Sequence, residues 1–247
     1  MNRLYLDAAS SGGSGDMLLA GLIDLGLPLP ALRSALRSVG LRPDGFRVER
    51  VRTAAGPACR VSWRFSPGGG DWREPARMLE RIDRSGLPVS VRARAVRVVR
   101  RLQGAEGSVH RVPARRVRFV QLGRPDTLAA IVGFCFGLLQ LRIGRVFLAP
   151  LPLGGRHRGH RGGWRPGPGP AVRRLLRGWP TVPREGGGEW VTPTAAALMT
   201  VCAVAGYPQP FRCFRFGFSA GHFPPIPGGG PMRFILAKPL SLQRDGT

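Results

Sequence analysis

LYLDAASSGGSGDMLLAGLIDLGLPL, residues 4–29, decides how the rest of the chain reads. Leu4-Tyr5-Leu6 is a short apolar strand. Ser10-Ser11-Gly12-Gly13-Ser14-Gly15 turns the chain, and residues 16–25 have the apolar density of a buried helix. Gly26 ends that helix, and Pro28 and Pro30 prevent its continuation. A strand that feeds a helix through such a turn can present backbone N–H groups and the positive helix end to a phosphate. The turn lacks the lysine of a P-loop and the G-x-G-x-x-G spacing. A tight connection, with Asp16 favourable to the helix dipole, is the competing reading. Asp7, at the strand end beside the turn, is a candidate functional acid of the kind that serves a metal next to a phosphate.

Outward from this unit, strands and helices interleave. Residues 31–39 put Leu32, Ala35, Leu36 and Val39 on one helical face. Residues 46–51 and 59–65 alternate at period 2 and predict a hairpin turning at Gly56-Pro57. Residues 67–70 are a loop, and 66–72 mark a sub-boundary in what otherwise reads as one unit over 1–247. Helices are predicted over 74–84 and, with Ser90 as cap, over 90–104. Residues 117–122 predict a strand, and Asp126 is placed to cap an apolar helix running to 141. A strand over 145–153 and a Gly, Pro, Arg and His rich connection over 154–170 follow. Helices are then expected over 171–177 and from Thr192-Pro193-Thr194 to 203, with Pro at the first helical position. Strands over 211–218 and 232–237 flank a second Pro/Gly loop. The fold class is α/β, with mixed α+β as its variant, in a layered domain with long Gly/Pro loops.

With 247 residues, 43% of them hydrophobic, the chain can bury a real core despite 36 Gly and 24 Pro. Its 38 Lys+Arg against 14 Asp+Glu give +24, and Lys238 is the only lysine. Arginine in that excess invites a nucleic-acid partner. GC-biased coding, which raises Arg, Gly, Pro and Ala together, competes with it. The arginines are scattered and no RNP-type or zinc-finger pattern accompanies them, so a nucleic-acid partner stays open. Cys59, Cys135, Cys202 and Cys213 lie far apart without a C-x-x-C pair, which argues for a reducing compartment. The N-terminus has no long apolar segment, and the most apolar run, 128–141, is too short for a bilayer. A cytoplasmic protein without a membrane partner is expected.

Metal-competent side chains are few. His157 and His160 sit in a glycine-rich loop that does not pre-position them. Glu106 and His110, four apart, would share a helical face as a metal or acid–base pair, or simply as a surface ion pair.

The order of several pieces resembles the LarC-type nickel insertion proteins. The opening turn is followed by AEGSVHRVP at 105–113, FVQLGRPDTLAAIVG at 119–133 and LAPLPLGG at 148–155. GEWVTPTAAAL at 188–198 and GFSAG at 217–221 complete the series. The resemblance covers nearly the whole chain. It implies insertion of nickel into a pyridinium bisthiocarboxylate mononucleotide, a lyase-class cyclometallation that makes the nickel-pincer cofactor with CTP and manganese. It further implies that Ser11, Gly12, Gly13, Ser14, Gly15, Thr192 and Thr194 hold the substrate phosphate. Asp7, Asp16 and Asp126 would be catalytic acids, and Glu106, His110 and His160 metal ligands.

Departures fall on metal-competent positions. Where the family pattern reads His-Phe-His-Glu-Val-Gly, this chain has Arg118-Phe119-Val120-Gln121-Leu122-Gly123, and a second family Asp corresponds to Ala130. A His-rich segment is replaced by 66–70, and a His-Gly step by Gly162-Gly163. The family's C-terminal, nucleotide-associated region is not expected within 1–247. A separate nucleotide-binding chain supplying it, and a homo-oligomer, are the further partners considered. Beside nickel insertion, which these losses would impair, stand two other readings: a non-catalytic degenerate paralogue binding a phosphorylated ligand, and a basic nucleic-acid-binding protein.

Overall fold

A computed structural model describes residues 1–42, 45–65, 72–158, 163–184, 189–207, 210–222 and 230–240. In chain order the first half runs β1 (Asn2–Asp7), α1 (Gly15–Asp24), α2 (Leu29–Ser38), β2 (Arg47–Thr53), β3 (Gly56–Ser62), α3 (Pro75–Asp83), α4 (Val89–His110) and α5 (Pro125–Gln140). The second half runs β4 (Ile143–Leu148), β5 (Leu151–Gly154), β6 (Arg156–Arg158), β7 (Trp164–Pro166), α6 (Pro170–Leu175), β8 (Thr181–Arg184), α7 (Pro193–Cys202), β9 (Val204–Ala205), β10 (Phe211–Ser219) and β11 (Met232–Pro239).

One mixed sheet organises the molecule, in the order β2-β3-β10-β11-β1-β4-β9, as the α/β reading expects. β1 lies near its centre, antiparallel to β11 and parallel to β4. Leu4 and Leu6 on β1, Phe234 and Leu236 on β11, and Val146 and Leu148 on β4 are buried on one face. α1 packs there so closely that a Cβ on Gly21 would lie 2.1 Å from the Phe234 ring. α5 lies against α1, α2, α4, α7 and β4, and is buried at every position from Thr127 to Leu138. Among the described residues, no helix is long and apolar enough to cross a membrane.

Several local expectations are corrected. Residues 117–122 form no strand. Val117 and Phe119 are buried and Arg118 and Val120 exposed, so the alternation is real as far as Val120 and breaks at Gln121, which is exposed, before buried Leu122. Its backbone is tied elsewhere, however, with the Phe119 N–H donating to the Arg73 carbonyl at 2.7 Å. Alternation reports one-sided burial, and an extended loop can satisfy it without a ladder. The hairpin turns at Ala54-Ala55, with Thr53 opposite Gly56 and Pro57 already paired to Arg52. The Thr53 hydroxyl closes that turn by donating to the Gly56 carbonyl at 2.7 Å. Ser90 caps nothing: α4 starts after Pro88 and runs through Gly104 to His110, because its face packs on α3, α5, α6 and α7. Asp126 lies inside α5, whose cap position is Arg124. The span 145–153 divides into β4 and β5, which join different sheets.

Candidate functional site

Three long-range packings bring the N-terminal ends of α1, α5 and α7 to one place. Gly12 adopts φ +69° and lies flat on Trp190, where a Cβ would stand 1.9 Å from the carbonyl oxygen. That close approach lets the Gly13 N–H donate to the Trp190 carbonyl at 2.7 Å and the Thr192 N–H donate to the Gly13 carbonyl at 3.0 Å. Next in the chain, a Cβ on Gly15 would meet the Ala130 Cβ at 2.8 Å and the Thr194 Cγ2 at 3.1 Å. Gly15 is thus the contact point of α1, α5 and α7. Ser14 caps α1, its Oγ accepting from the Met17 N–H at 3.2 Å. Thr192 caps α7, its Oγ1 accepting from the Ala195 N–H at 3.3 Å. Proline follows the cap in α5 and α7, where a missing N–H costs nothing.

Between these ends lies a cavity of about 210 Å³. Ser14, Gly15 and Asp16 line it from the start of α1, Gln121, Leu122, Arg124, Asp126, Thr127 and Ala130 from the approach to α5 and its first turns, and Glu189, Thr192, Pro193 and Thr194 close it. Helix N-termini carry partial positive charge and donor-rich backbone, the setting in which phosphates are held. Asp16, Asp126 and Glu189 add carboxylates, in a chain with only 14 acids. Arg124 sits at the rim, its Nε 3.2 Å from Asp126 Oδ2.

The three acids have different environments. Burial pushes the Asp16 carboxyl above its ordinary range, and the nearby Asp126 charge adds to this. A hydrogen bond from Trp63 Nε1 to Asp16 Oδ1 at 2.7 Å opposes it, helped by His222 and Arg124. Trp63 is itself fixed by stacking on Phe46 and Phe65, with centroids 4.5 and 5.6 Å away. Burial alone pushes Glu189 up to about 7. A carboxyl raised this way favours the folded state while protonated in it, and that contribution is lost as pH rises from about 4.5 through about 7. Glu189→Gln should therefore lose less stability than the parent between those pH values, read by thermal unfolding. Parallel pH profiles for the two proteins would contradict the assigned burial.

The expected site residues divide. Ser14, Gly15, Asp16, Asp126, Thr192 and Thr194 meet in the cavity. Asp7 lies apart from its lining, accepting from the Ala9 N–H at 3.0 Å and pairing with Arg233. Ser11 donates to the Gly12 carbonyl at 2.8 Å, and the Gly12 and Gly13 amides are taken by the carbonyls of Ala8 and Trp190. These residues shape the turn. Glu106 and His110 pair with each other on α4 at 3.3 Å, away from the cavity lining. His160 lies outside the described residues. Among the described residues, no three His, Cys, Asp or Glu side chains stand close enough together to hold a metal ion.

Sequence reasoning did not single out Glu189, Arg124 or Trp63. Glu189 had a usable signal: a rare acid three residues before a Thr-Pro helix start. Trp63 had none, because its role depends on a contact across 47 positions.

The sequence profile of the family described as "Nickel insertion protein" matches residues 4–244. A Geotalea daltonii protein bearing the nickel-insertion description is 35% identical over 251 aligned residues, covering 99% of this chain and 63% of its own length. A Nocardioides protein named pyridinium-3,5-bisthiocarboxylic acid mononucleotide nickel insertion protein is 36% identical, over 97% of this chain and 61% of its own. A Thermomicrobium roseum relative is 40% identical over 90% of this chain and 54% of its own. The chain thus spans little more than half to three fifths of these relatives. No solved structure matches it.

Proposed function

Because the chain belongs to the nickel insertion protein family, we propose that it takes part in inserting nickel into a pyridinium bisthiocarboxylate mononucleotide, for the nickel-pincer cofactor. The observation that carries this reading is where two departures from the family pattern fall. Gln121 stands where the pattern has Glu, and Ala130 where it has a second Asp, and both line the same cavity as Asp16, Asp126 and Glu189. Carboxylates of the family pattern would therefore gather where three helix N-termini can take a phosphate. In this reading the Ser14, Thr192 and Thr194 end orients the mononucleotide phosphate. The Asp16, Asp126 and Glu189 side would face nickel, the substrate metal, as its charge complement; these carboxylates do not stand close enough together to hold the ion by themselves, so the substrate must supply ligands of its own.

Manganese takes carboxylate oxygens. The described residues, however, form no cluster of three metal-competent side chains that would hold it. A second reading, a scaffold that binds the phosphorylated ligand without handling nickel, is favoured by the loss of carboxylates at Gln121 and Ala130.

Nickel titration separates the two. The parent should bind nickel weakly, and Val120→His with Gln121→Glu should bind it more tightly, because Gln121 lines the cavity and Val120, 62% exposed, has room for an imidazole. Tight stoichiometric binding by the parent would place the ligands elsewhere. No gain in the double variant would favour the ligand-binding scaffold. Mass spectrometry of the mononucleotide after incubation with nickel, manganese and CTP, with and without the remaining region of a longer relative, reads insertion itself.

A further inference from the structure

The sheet face turned away from α1 carries a row of apolar side chains in register. Val204 lies beside Phe147, Phe147 beside Tyr5, Tyr5 beside Ile235 and Ile235 beside Phe216, across neighbouring strands from β9 to β10. Strand alternation sets this row opposite to Leu4, Leu6, Phe234 and Leu236, which are buried beneath the helices. Phe147 itself is buried and Tyr5 half-buried, whereas Phe216 is 59% exposed, and Tyr207, 72% exposed, stands with its ring 5.6 Å from that of Tyr5. The adjoining register position pairs Arg3 with Arg145, whose guanidinium lies 5.4 Å from the Phe147 ring centroid.

We propose that this face binds single-stranded nucleic acid, with bases stacking on Tyr5, Tyr207 and Phe216 and phosphates held by Arg3 and Arg145. Aromatic rings on an open sheet offer a surface on which any unpaired base can stack, and neighbouring arginines neutralise the backbone that joins the bases. The overall charge of +24 selects the partner class: it attracts a polyanion and opposes face-to-face association of two copies. The arginine excess raises a nucleic-acid partner in the sequence without locating it, because the platform exists only after β1, β4, β9, β10 and β11 come together. A duplex keeps its bases stacked internally and cannot use the rings. The proposal is independent of the cavity and its ligand.

Fluorescence anisotropy with a labelled oligothymidylate and a labelled duplex of equal length, at about 150 mM salt, tests it. The single strand should bind more tightly than the duplex. Tyr207→Ala with Phe216→Ala should weaken single-strand binding roughly tenfold or more and leave duplex binding unchanged. Arg3→Gln with Arg145→Gln should weaken it and lower the salt dependence by about two phosphate contacts. Equal binding of the two nucleic acids, unaffected by the aromatic variant, would overturn the proposal in favour of diffuse charge. So would a dimer in sedimentation that the aromatic variant dissolves, which would make the face an interface between copies. Should the aromatic variant fail to fold, an unchanged single-strand affinity in the arginine variant overturns the proposal by itself.

Discussion

Ile131→Asp should destabilise the protein by roughly 3–5 kcal/mol, lowering the unfolding temperature by roughly 6–20 °C for a chain of this size. Ile131 has no solvent exposure and sits midway along α5, the helix in contact with α1, α2, α4, α7 and β4. Gly133 and Gly137 on the same helix admit Leu19 and Leu22 of α1 to within about 3 Å of where a Cβ would stand, so there is no slack for the helix to rotate. An aspartate there must stay charged without a partner or take up a proton, and either choice opposes folding. Ile131→Val, which removes one methylene, should cost only about 1 kcal/mol. Unfolding of the aspartate variant at the parent temperature would remove α5 from the core.

Gly12→Ala should be nearly as damaging, on the order of 3 kcal/mol or more, and should also abolish ligand binding. A residue with φ +69° is strained once it carries a Cβ, and here that carbon would meet the Trp190 carbonyl oxygen at 1.9 Å. Relief requires separating the turn from residues 190–192, which breaks the paired bonds between Gly13 and Trp190 and between Gly13 and Thr192. Those bonds tie the start of α1 to the start of α7. Gly86→Ala, where nothing lies within 4 Å of the added carbon, is the matched control and should leave both stability and binding close to the parent. Stability within about 0.5 kcal/mol of the parent in Gly12→Ala would show that the turn does not dock as described.

The comparison of these two sites shows what a sequence can disclose. The burial of α5 was legible because an uninterrupted apolar run can only be a core helix when it is too short for a membrane. The β1–turn–α1 unit was legible from its glycines and the helix stops after it. The purpose of those glycines was not. A Gly-rich turn before a helix suggests phosphate contact by the turn, whereas the Gly12 and Gly13 amides bind protein carbonyls and bring a second helix end to the site. Ser14, Asp16, Asp126 and the two threonines could be selected because they stand at helix starts. Glu189 and Trp63 act through contacts between distant segments, which local pattern does not encode. Glu106 and His110 show the converse: a spacing suited to shared ligation on a helix is equally suited to an ion pair, and here the two side chains meet each other.

The central claim is that the ends of α1, α5 and α7 hold the phosphate of a mononucleotide. Calorimetric titration of the chain with pyridinium-3,5-bisthiocarboxylic acid mononucleotide, and with the nucleoside that lacks its phosphate, tests this most directly. Charge-assisted hydrogen bonds at helix ends are each worth about 1.5–3 kcal/mol. The nucleoside should therefore bind at least about tenfold more weakly, and Thr192→Val should narrow that difference. Equal affinity for the two compounds, unchanged in Thr192→Val, would contradict the assignment.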